Sequence, residues 1–222
     1  RRQAEARIFG SQLRTGTHGM MKYELLVFDW DGTLLDSAGA IVRAIQCACR
    51  DLDLPVPDDG RARHVIGLGL VDALSHAVPE LPAERYQAMV ERYRFHYLSR
   101  DNELTLFDGV PDMLKGLLED GHTLAVATGK SRLGLERALD HSGLRPLFQA
   151  SRCADECHSK PHPQMLDELM SEFGAAKSST LMIGDTSHDL LMASNAGVDA
   201  LAVTYGAHPH DHLREHRPVA CL

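Results

Sequence analysis

Short apolar runs that alternate with amphipathic stretches constrain the fold of this chain more than any other feature. After Met21 each run is bounded by turn residues, which is typical of strands buried in a parallel sheet. The predicted strands are 23–29, 123–128, 148–152, 180–185 and 200–205. Helical periodicity lies at 110–120, 132–143, 163–174 and 187–197, with a glycine at or directly after each end. The alternation predicts an α/β domain with a doubly wound, Rossmann-like parallel sheet.

One interval lacks strand patterns. Residues 37–104 show only helical periodicity, and a helical stretch of that length cannot be a simple crossover connection. We therefore predict a small inserted helical domain, here called the cap, over 37–104. The core is predicted over 21–36 and 105–222, and residues 1–20, which lack sustained periodicity, are predicted to be a leader or flexible arm.

Composition excludes several classes of function. The apolar fraction is 44% and the formal net charge is −8, which fits a globular protein and argues against a surface for nucleic acid. No apolar run reaches the length that spans a bilayer, and residues 1–20 lack the apolar region of a secretory signal. Five cysteines, an odd number, fit reduced thiols better than a disulfide framework. We therefore expect a cytoplasmic protein with no membrane or nucleic-acid partner.

Two groups of residues could be read as metal ligands of nitrogen and sulfur type. Cys153 and Cys157 precede His158, but no second pair stands at a matching spacing. The C-terminal histidines are interpreted as a solvated tail; they are His208, His210, His212 and His216.

Polar residues that suit phosphate chemistry lie at or just beyond the ends of four predicted strands. The stretches are FDWDGTLLDS at 28–37, ATGK at 127–130, SKPHP at 159–163 and GDTSHD at 184–189. Each alone also fits a structural role, such as a helix cap or acids facing a helix dipole. Ligands of open α/β sheets bind beyond the carboxyl ends of the strands, so the four together favour one site.

The acids suit a metal-assisted phosphoryl transfer. Asp29, Asp31 and Asp185 offer the hard oxygen ligands that Mg²⁺ prefers. A carboxylate can also act as a covalent nucleophile and form an aspartyl-phosphate.

The remaining polar residues suit the phosphate. Lys160 offers a compact positive charge. The Thr128 hydroxyl and the Gly129 N–H, at the start of a predicted helix, can donate to phosphate oxygens.

The four motifs, in this order from Tyr23 to Tyr205, resemble the haloacid dehalogenase-like phosphatases, and the helical insert resembles their C1 cap. The phosphoglycolate phosphatase-like members look most similar. The resemblance implies that Asp29 is the nucleophile, that Asp31 is the general acid/base, and that Thr128 and Lys160 bind the phosphoryl group. It also implies that Mg²⁺ is held by Asp185, the Asp29 carboxylate and the Asp31 main-chain carbonyl, with Asp189 in a supporting role.

We therefore predict a Mg²⁺-dependent phosphatase for a small phosphorylated metabolite, phosphoglycolate-like, working as a monomer or homodimer. A phosphomutase and a non-catalytic binding module on the same fold stay open as alternatives. A dehalogenase is disfavoured, because it would leave Asp31 and the metal-binding acids superfluous. In the cap, Arg63 and His64 are candidate anion readers, and Gly67–Gly69 stands where relatives carry a loop that reaches the active site.

Overall fold

The computed structural model describes residues 22–222, so the arm predicted over 1–20 lies outside the described residues. Its centre is one six-stranded parallel sheet in the order β3-β2-β1-β4-β5-β6. The strands are β1 (Leu25–Phe28), β2 (Thr123–Thr128), β3 (Ala150–Cys153), β4 (Thr180–Gly184), β5 (Asp199–Ala202) and β6 (Ala220–Cys221). The predicted doubly wound α/β fold is confirmed.

Nine α-helices lie within the described residues. They are α1 (Ala38–Asp51), α2 (Asp59–His64), α3 (Leu70–Ala77), α4 (Tyr86–Leu98), α5 (Val110–Glu119), α6 (Arg132–Ser142), α7 (Gln164–Phe173), α8 (Ser187–Ala196) and α9 (His210–Glu215). The four helices predicted between the strands of the core match α5 to α8 to within one residue at each end.

Strand β1 is the centre of the core because it is buried on both faces. Side chains of a strand alternate between its two faces. Leu26 and Phe28 belong to the apolar cluster that includes residues of α5 and α6, whereas Leu25 and Val27 belong to the cluster with α7 and α8. All four residues are buried, which explains why the strand reads as an unbroken apolar run.

The segment predicted as the cap contains α1 to α4 and has its own apolar cluster. The two chain segments that connect it to the core run side by side. The Asp36 N–H donates to the Thr105 carbonyl at 3.0 Å, and the Phe107 N–H donates to the Leu34 carbonyl at 3.0 Å. These contacts support the boundaries that we propose for the cap, residues 37–104.

The C-terminal region differs from expectation. Strand β5 ends at Ala202 rather than 205, because the chain turns towards β4 and the Ala207 N–H donates to the Asp185 carboxylate at 2.7 Å. Helix α9 has six residues and strand β6 has two, which is too short for a recognisable period. The interpretation of the C-terminal histidines as a solvated tail is wrong for His208, which is buried.

None of the helices in residues 22–222 combines the length and the apolar character that crossing a bilayer requires.

Substituting a central strand residue tests this account of the core. We expect Leu26→Ala to lower the free energy of unfolding by about 2–5 kcal/mol, since it removes a fully buried side chain and leaves a cavity. The matched substitution Leu133→Ala, at a side chain that is 74% exposed, should change it by about 0.5 kcal/mol or less. Urea unfolding measures both, and equal losses would contradict a core centred on β1.

Candidate active site

The acidic turn after β1 separates two aspartates by a core residue. Trp30 is fully buried, and its ring packs edge-on against that of Phe148 with the ring centroids 6.4 Å apart. The turn continues through Gly32, which has φ +84° and so adopts a conformation that glycine tolerates best. A Cβ atom on Gly32 would lie 2.2 Å from Oδ2 of Asp185. The turn therefore lets β1 and β4 bring their carboxylates together.

Lys160 joins the nucleophile candidate to the last aspartate of the fourth motif. Its Nζ lies 2.6 Å from Asp29 Oδ1 and 2.7 Å from Asp189 Oδ1, with all three side chains buried. Burial by itself lowers the pKa of Lys160, but the two carboxylates outweigh burial and raise this pKa above its ordinary value. The lysine is therefore a permanent cation in a dry site.

Asp29 has one carboxylate oxygen available for chemistry. Its Oδ2 atom is buried and has no hydrogen-bond partner within the described part of the chain. Burial raises the pKa of Asp29 well above its usual range, and Lys160 opposes that shift. A buried oxygen without a partner is costly, which indicates that a cation or a substrate completes its surroundings.

Asp185 needs a compensating charge in the same way. It accepts hydrogen bonds from Thr33 Oγ1 at 2.8 Å and from the Ala207 N–H at 2.7 Å. Burial, and next the nearby Asp189 carboxylate, raise the pKa of Asp185 to about 7.

The donor set fits a hard divalent cation. One carboxylate oxygen each from Asp29, Asp185 and Asp189 lies within 4.8 Å of the others. Oxygen donors of this kind suit Mg²⁺. Asp189 is the member already engaged, since it pairs with Lys160 and its Oδ2 accepts from the Thr186 N–H and hydroxyl. That engagement fits the supporting role proposed for it.

Asp31, the acid/base candidate, lies in a different environment. It accepts a hydrogen bond from Ser37 Oγ at 2.6 Å, and its Oδ2 lies 3.1 Å from the Nζ of Lys130. Lys130 also donates to the Tyr97 hydroxyl of the cap at 3.0 Å. Thr128 ends β2 fully buried, and its Oγ1 accepts from the Lys130 N–H at 3.2 Å.

Gly129 is where the cap touches the core. A Cβ atom there would lie 2.3 Å from the Leu68 carbonyl oxygen and 2.6 Å from that of Gly67. The Gly69 N–H donates to Ser159 Oγ at 2.9 Å, beside Lys160. The cap loop Gly67–Gly69 thus closes over the ends of two motifs.

The comparisons with known proteins agree with this geometry. Residues 26–203 match the sequence profile of the haloacid dehalogenase-like hydrolases. The chain belongs to this hydrolase family. It is 41% identical to the probable phosphatase IndB of Dickeya dadantii, over 87% of this chain and 86% of that one. It is 34% identical to a 5′-nucleotidase of Pseudomonas aeruginosa, over 89% and 90% of the two chains.

A solved structure agrees as well. A predicted phosphoglycolate phosphatase from Haemophilus somnus superposes with a TM-score of 0.81 at 27% identity, covering 91% of this chain and 95% of the other. The predicted family and an enzyme of the hydrolase class are thereby confirmed.

Sequence reasoning missed several residues of this hydrolase that contact the predicted site. Thr33 and Ser37 lie in the first motif, and Lys130 closes the second, so their positions gave a signal that was not used. Ala207 contributes only its backbone N–H, which carries no sequence signal. Arg63 does not line the cavity that opens on Asp31.

The histidines of the hydrolase cluster where the cap meets the core. The His64 carbonyl accepts from His188 Nε2 at 2.6 Å and from His208 Nε2 at 3.2 Å. The His64 and His208 rings are parallel, 5.1 Å apart, and His208 Nδ1 accepts from the Ser187 N–H. Both ring nitrogens of His208 are engaged in these hydrogen bonds, so the histidines are better explained as contacts between the cap and the core.

Cys153 and Cys157 also have a structural explanation. Cys153 is buried, and burial raises the pKa of its thiol to about 12. Burial raises the pKa of Cys157 as well. Among the described residues neither cysteine belongs to a group of three or more side chains that could hold a metal ion.

A substitution at Gly129 tests the closed position of the cap loop. We expect Gly129→Ala to push the backbone of residues 67–69 away, because the new methyl group meets carbonyl oxygens rather than flexible side chains. Hydrogen exchange of the amides in 65–70 should then accelerate by about tenfold or more, as local opening becomes easier. Gly116→Ala is the matched control, since nothing lies within 4 Å of its added Cβ. Unchanged exchange in Gly129→Ala would contradict the contact.

The raised pKa of Asp185 generates a pH-dependent prediction. Its folded pKa of about 7 lies above the ordinary 3.8, so its contribution to stability is complete below about pH 4 and is lost as the pH rises through 7. A divalent cation binds the ionised form and reverses this loss. We expect Mg²⁺ to raise the Tm more at pH 8 than at pH 5, and Asp185→Asn to remove most of that rise. An equal rise at both pH values would count against the assignment.

Proposed function

We propose that the chain is a Mg²⁺-dependent phosphatase that hydrolyses a small phosphate monoester through a phosphorylated Asp29. The observation that carries the proposal is the arrangement around Asp29: Lys160 holds one oxygen, and the other is buried without a partner among residues 22–222. Relatives named as phosphatases and as a 5′-nucleotidase support the reaction class.

The first half-reaction uses Asp29 and Asp31. A carboxylate oxygen of Asp29 attacks phosphorus as the ester P–O bond breaks, and Asp31 gives a proton to the departing alcohol oxygen. Lys160 neutralises charge beside Asp29 at a fixed distance, which matters because phosphoryl transfer depends chiefly on positioning and electrostatics. The Thr128 hydroxyl and Gly129 N–H are proposed to donate to the phosphoryl oxygens.

The second half-reaction reverses the proton transfer. Asp31 takes a proton from a water molecule, whose oxygen attacks phosphorus and releases phosphate from Asp29. Ser37 and Lys130 hold the Asp31 carboxylate in place for both steps.

The metal would be held by Asp185, the Asp29 carboxylate and the Asp31 main-chain carbonyl, with Asp189 in support. When bound, Mg²⁺ supplies charge that offsets the repulsion between a carboxylate and a phosphate dianion. The need of the buried Asp29 and Asp185 carboxylates for positive charge supports this assignment.

Every charged residue that the four motifs require is present in the sequence, which argues against a non-catalytic binding module. Phosphoglycolate as substrate, cytoplasmic location and monomeric or homodimeric state stay predictions from the sequence.

Three substitutions test the mechanism because each should fail differently. We expect Asp29→Asn to form no phosphoenzyme and to lose turnover. Asp31→Asn should lower kcat by about 10²–10⁴-fold, the usual contribution of acid–base catalysis, with little change in Mg²⁺ affinity. Asp185→Ala should require more Mg²⁺ and recover part of its rate at high Mg²⁺.

The measurement is kcat against Mg²⁺ concentration, with acid-quench trapping of phosphoenzyme labelled from a ³²P ester. Asp167→Asn, an exposed residue in the first turn of α7, is the matched control. A phosphoenzyme at wild-type level in Asp29→Asn would show that the nucleophile is another residue.

A further inference from the structure

A large cavity lies between the cap and the core, directly beside the predicted acid/base. Its volume is about 870 Å³, within the range of pockets that hold drug-sized ligands. Asp31, Gly129, Lys130 and Ser159 all line it, so the cavity opens onto the place where the ester bond would break. The leaving group of a substrate bound at Asp29 has this space to occupy.

One wall of the cavity is aromatic. Tyr86, Val90, Tyr93 and Tyr97 line it from α4, at spacings of four, three and four residues, which place them on one face of the helix. The Tyr93 and Tyr97 rings are stacked with centroids 5.9 Å apart. The Tyr86 hydroxyl oxygen is buried and has no partner among the described residues. Because that oxygen is buried, what the wall offers to a ligand is the aromatic surface of its rings.

The facing surfaces are mostly aliphatic. Residues of α1, of the segment 65–68 and of α3 supply them: Ile41, Ile45, Val65, Ile66, Leu68, Leu70 and Leu74. A two-carbon leaving group would cover little of this surface, whereas a ring system would remove much of it from water.

Two of the three lysine and arginine side chains that line the cavity are paired with aspartates. Lys130 contacts Asp31 at 3.1 Å, and Arg137 pairs with Asp101 at 2.9 Å. Arg94, the remaining lining arginine, is exposed to solvent. A carboxylate leaving group such as glycolate would thus enter the cavity without a dedicated buried cation.

We propose that this cavity selects phosphate monoesters whose leaving group carries an uncharged ring. The inference rests on the proposed function and specifies its substrate class. Tyrosine rings pack on the flat or apolar face of such a group, and the aliphatic surfaces of the cavity cover the rest of it. A nucleoside, a substituted aryl alcohol and a sugar share this chemistry.

The first experiment compares esters that differ in the ring. Benzyl phosphate and ethyl phosphate have unactivated alcohol leaving groups, and phosphoglycolate adds the small carboxylate. We expect kcat/KM for benzyl phosphate to exceed both by about tenfold or more, the scale on which apolar pockets discriminate. Adenosine 5′-monophosphate and glucose 6-phosphate then distinguish nucleoside from sugar. The proposal would be overturned if kcat/KM for ethyl phosphate or for phosphoglycolate were as high as for every ring ester.

The second experiment fills the cavity. Val90→Trp places a large side chain within the aromatic wall, and Glu91→Trp makes the same change at the exposed neighbouring position. We expect Val90→Trp to lower the benzyl-to-ethyl ratio of kcat/KM by about tenfold, and Glu91→Trp to leave that ratio at the wild-type value. An unchanged ratio in Val90→Trp would overturn the proposal.

A binding measurement separates this inference from the proposed function. Calorimetry with adenosine, glucose and benzyl alcohol reports on the cavity without any hydrolysis. Suppose that no ester is hydrolysed, but that one of these alcohols binds to the wild-type protein and to the Glu91→Trp variant and fails to bind to the Val90→Trp variant. The proposed function then fails and the cavity assignment stands. If esters are hydrolysed but none of the alcohols binds and ring esters are not preferred, the cavity assignment fails alone.

Discussion

The contact of Lys160 with Asp29 and Asp189 is the interaction on which the site depends. Three buried carboxylates within 4.8 Å would repel one another strongly in a dry interior, and one buried ammonium group offsets part of that repulsion. The lysine reaches both acids because β1 and β4 are adjacent in the sheet and α8 begins just beyond β4. The compensation is incomplete, since Asp29 and Asp185 still have raised pKa values. That residual need for positive charge links the packing of the core to the binding of a cation.

The cap and the core meet through several polar contacts, and some of these lie at the site. Tyr97 of the cap accepts from Lys130, which holds Asp31, while the loop around Leu68 rests on Gly129. Closure of the cap therefore completes the surroundings of the acid/base and encloses the adjoining cavity. The apolar cluster of the cap contains no residue of the six strands, so the cap packs largely independently of the sheet.

Strands and helices of the core were predictable because their apolar periods are long and regular. Two short elements, β6 and α9, were not predicted from the sequence. The end of β5 was predicted too late, because tertiary contacts there override the local pattern. Asp29, Asp31 and Asp185 could be selected from the sequence because they stand at the ends of strand patterns, and Lys160 because its motif follows one. The motif position of Lys130 marked it as a candidate, but its contacts could not be read from the sequence, because its partners are distant along the chain: Asp31 and Tyr97. The buried position of His208 was likewise invisible, because its surroundings come from α2 and α8.

The sequence by itself determined the fold class, the family and the residues that carry the proposed chemistry, because strand periodicity and short motifs are local properties. Tertiary structure decided how those residues are charged and what they face. Atoms that are far apart along the chain decide which oxygen of Asp29 lacks a partner among the described residues. They also decide which acid Lys160 neutralises and which loop covers Gly129. The size and aromatic wall of the cavity have the same origin, since the tyrosines of α4 face a space that exists only when the cap packs against the core.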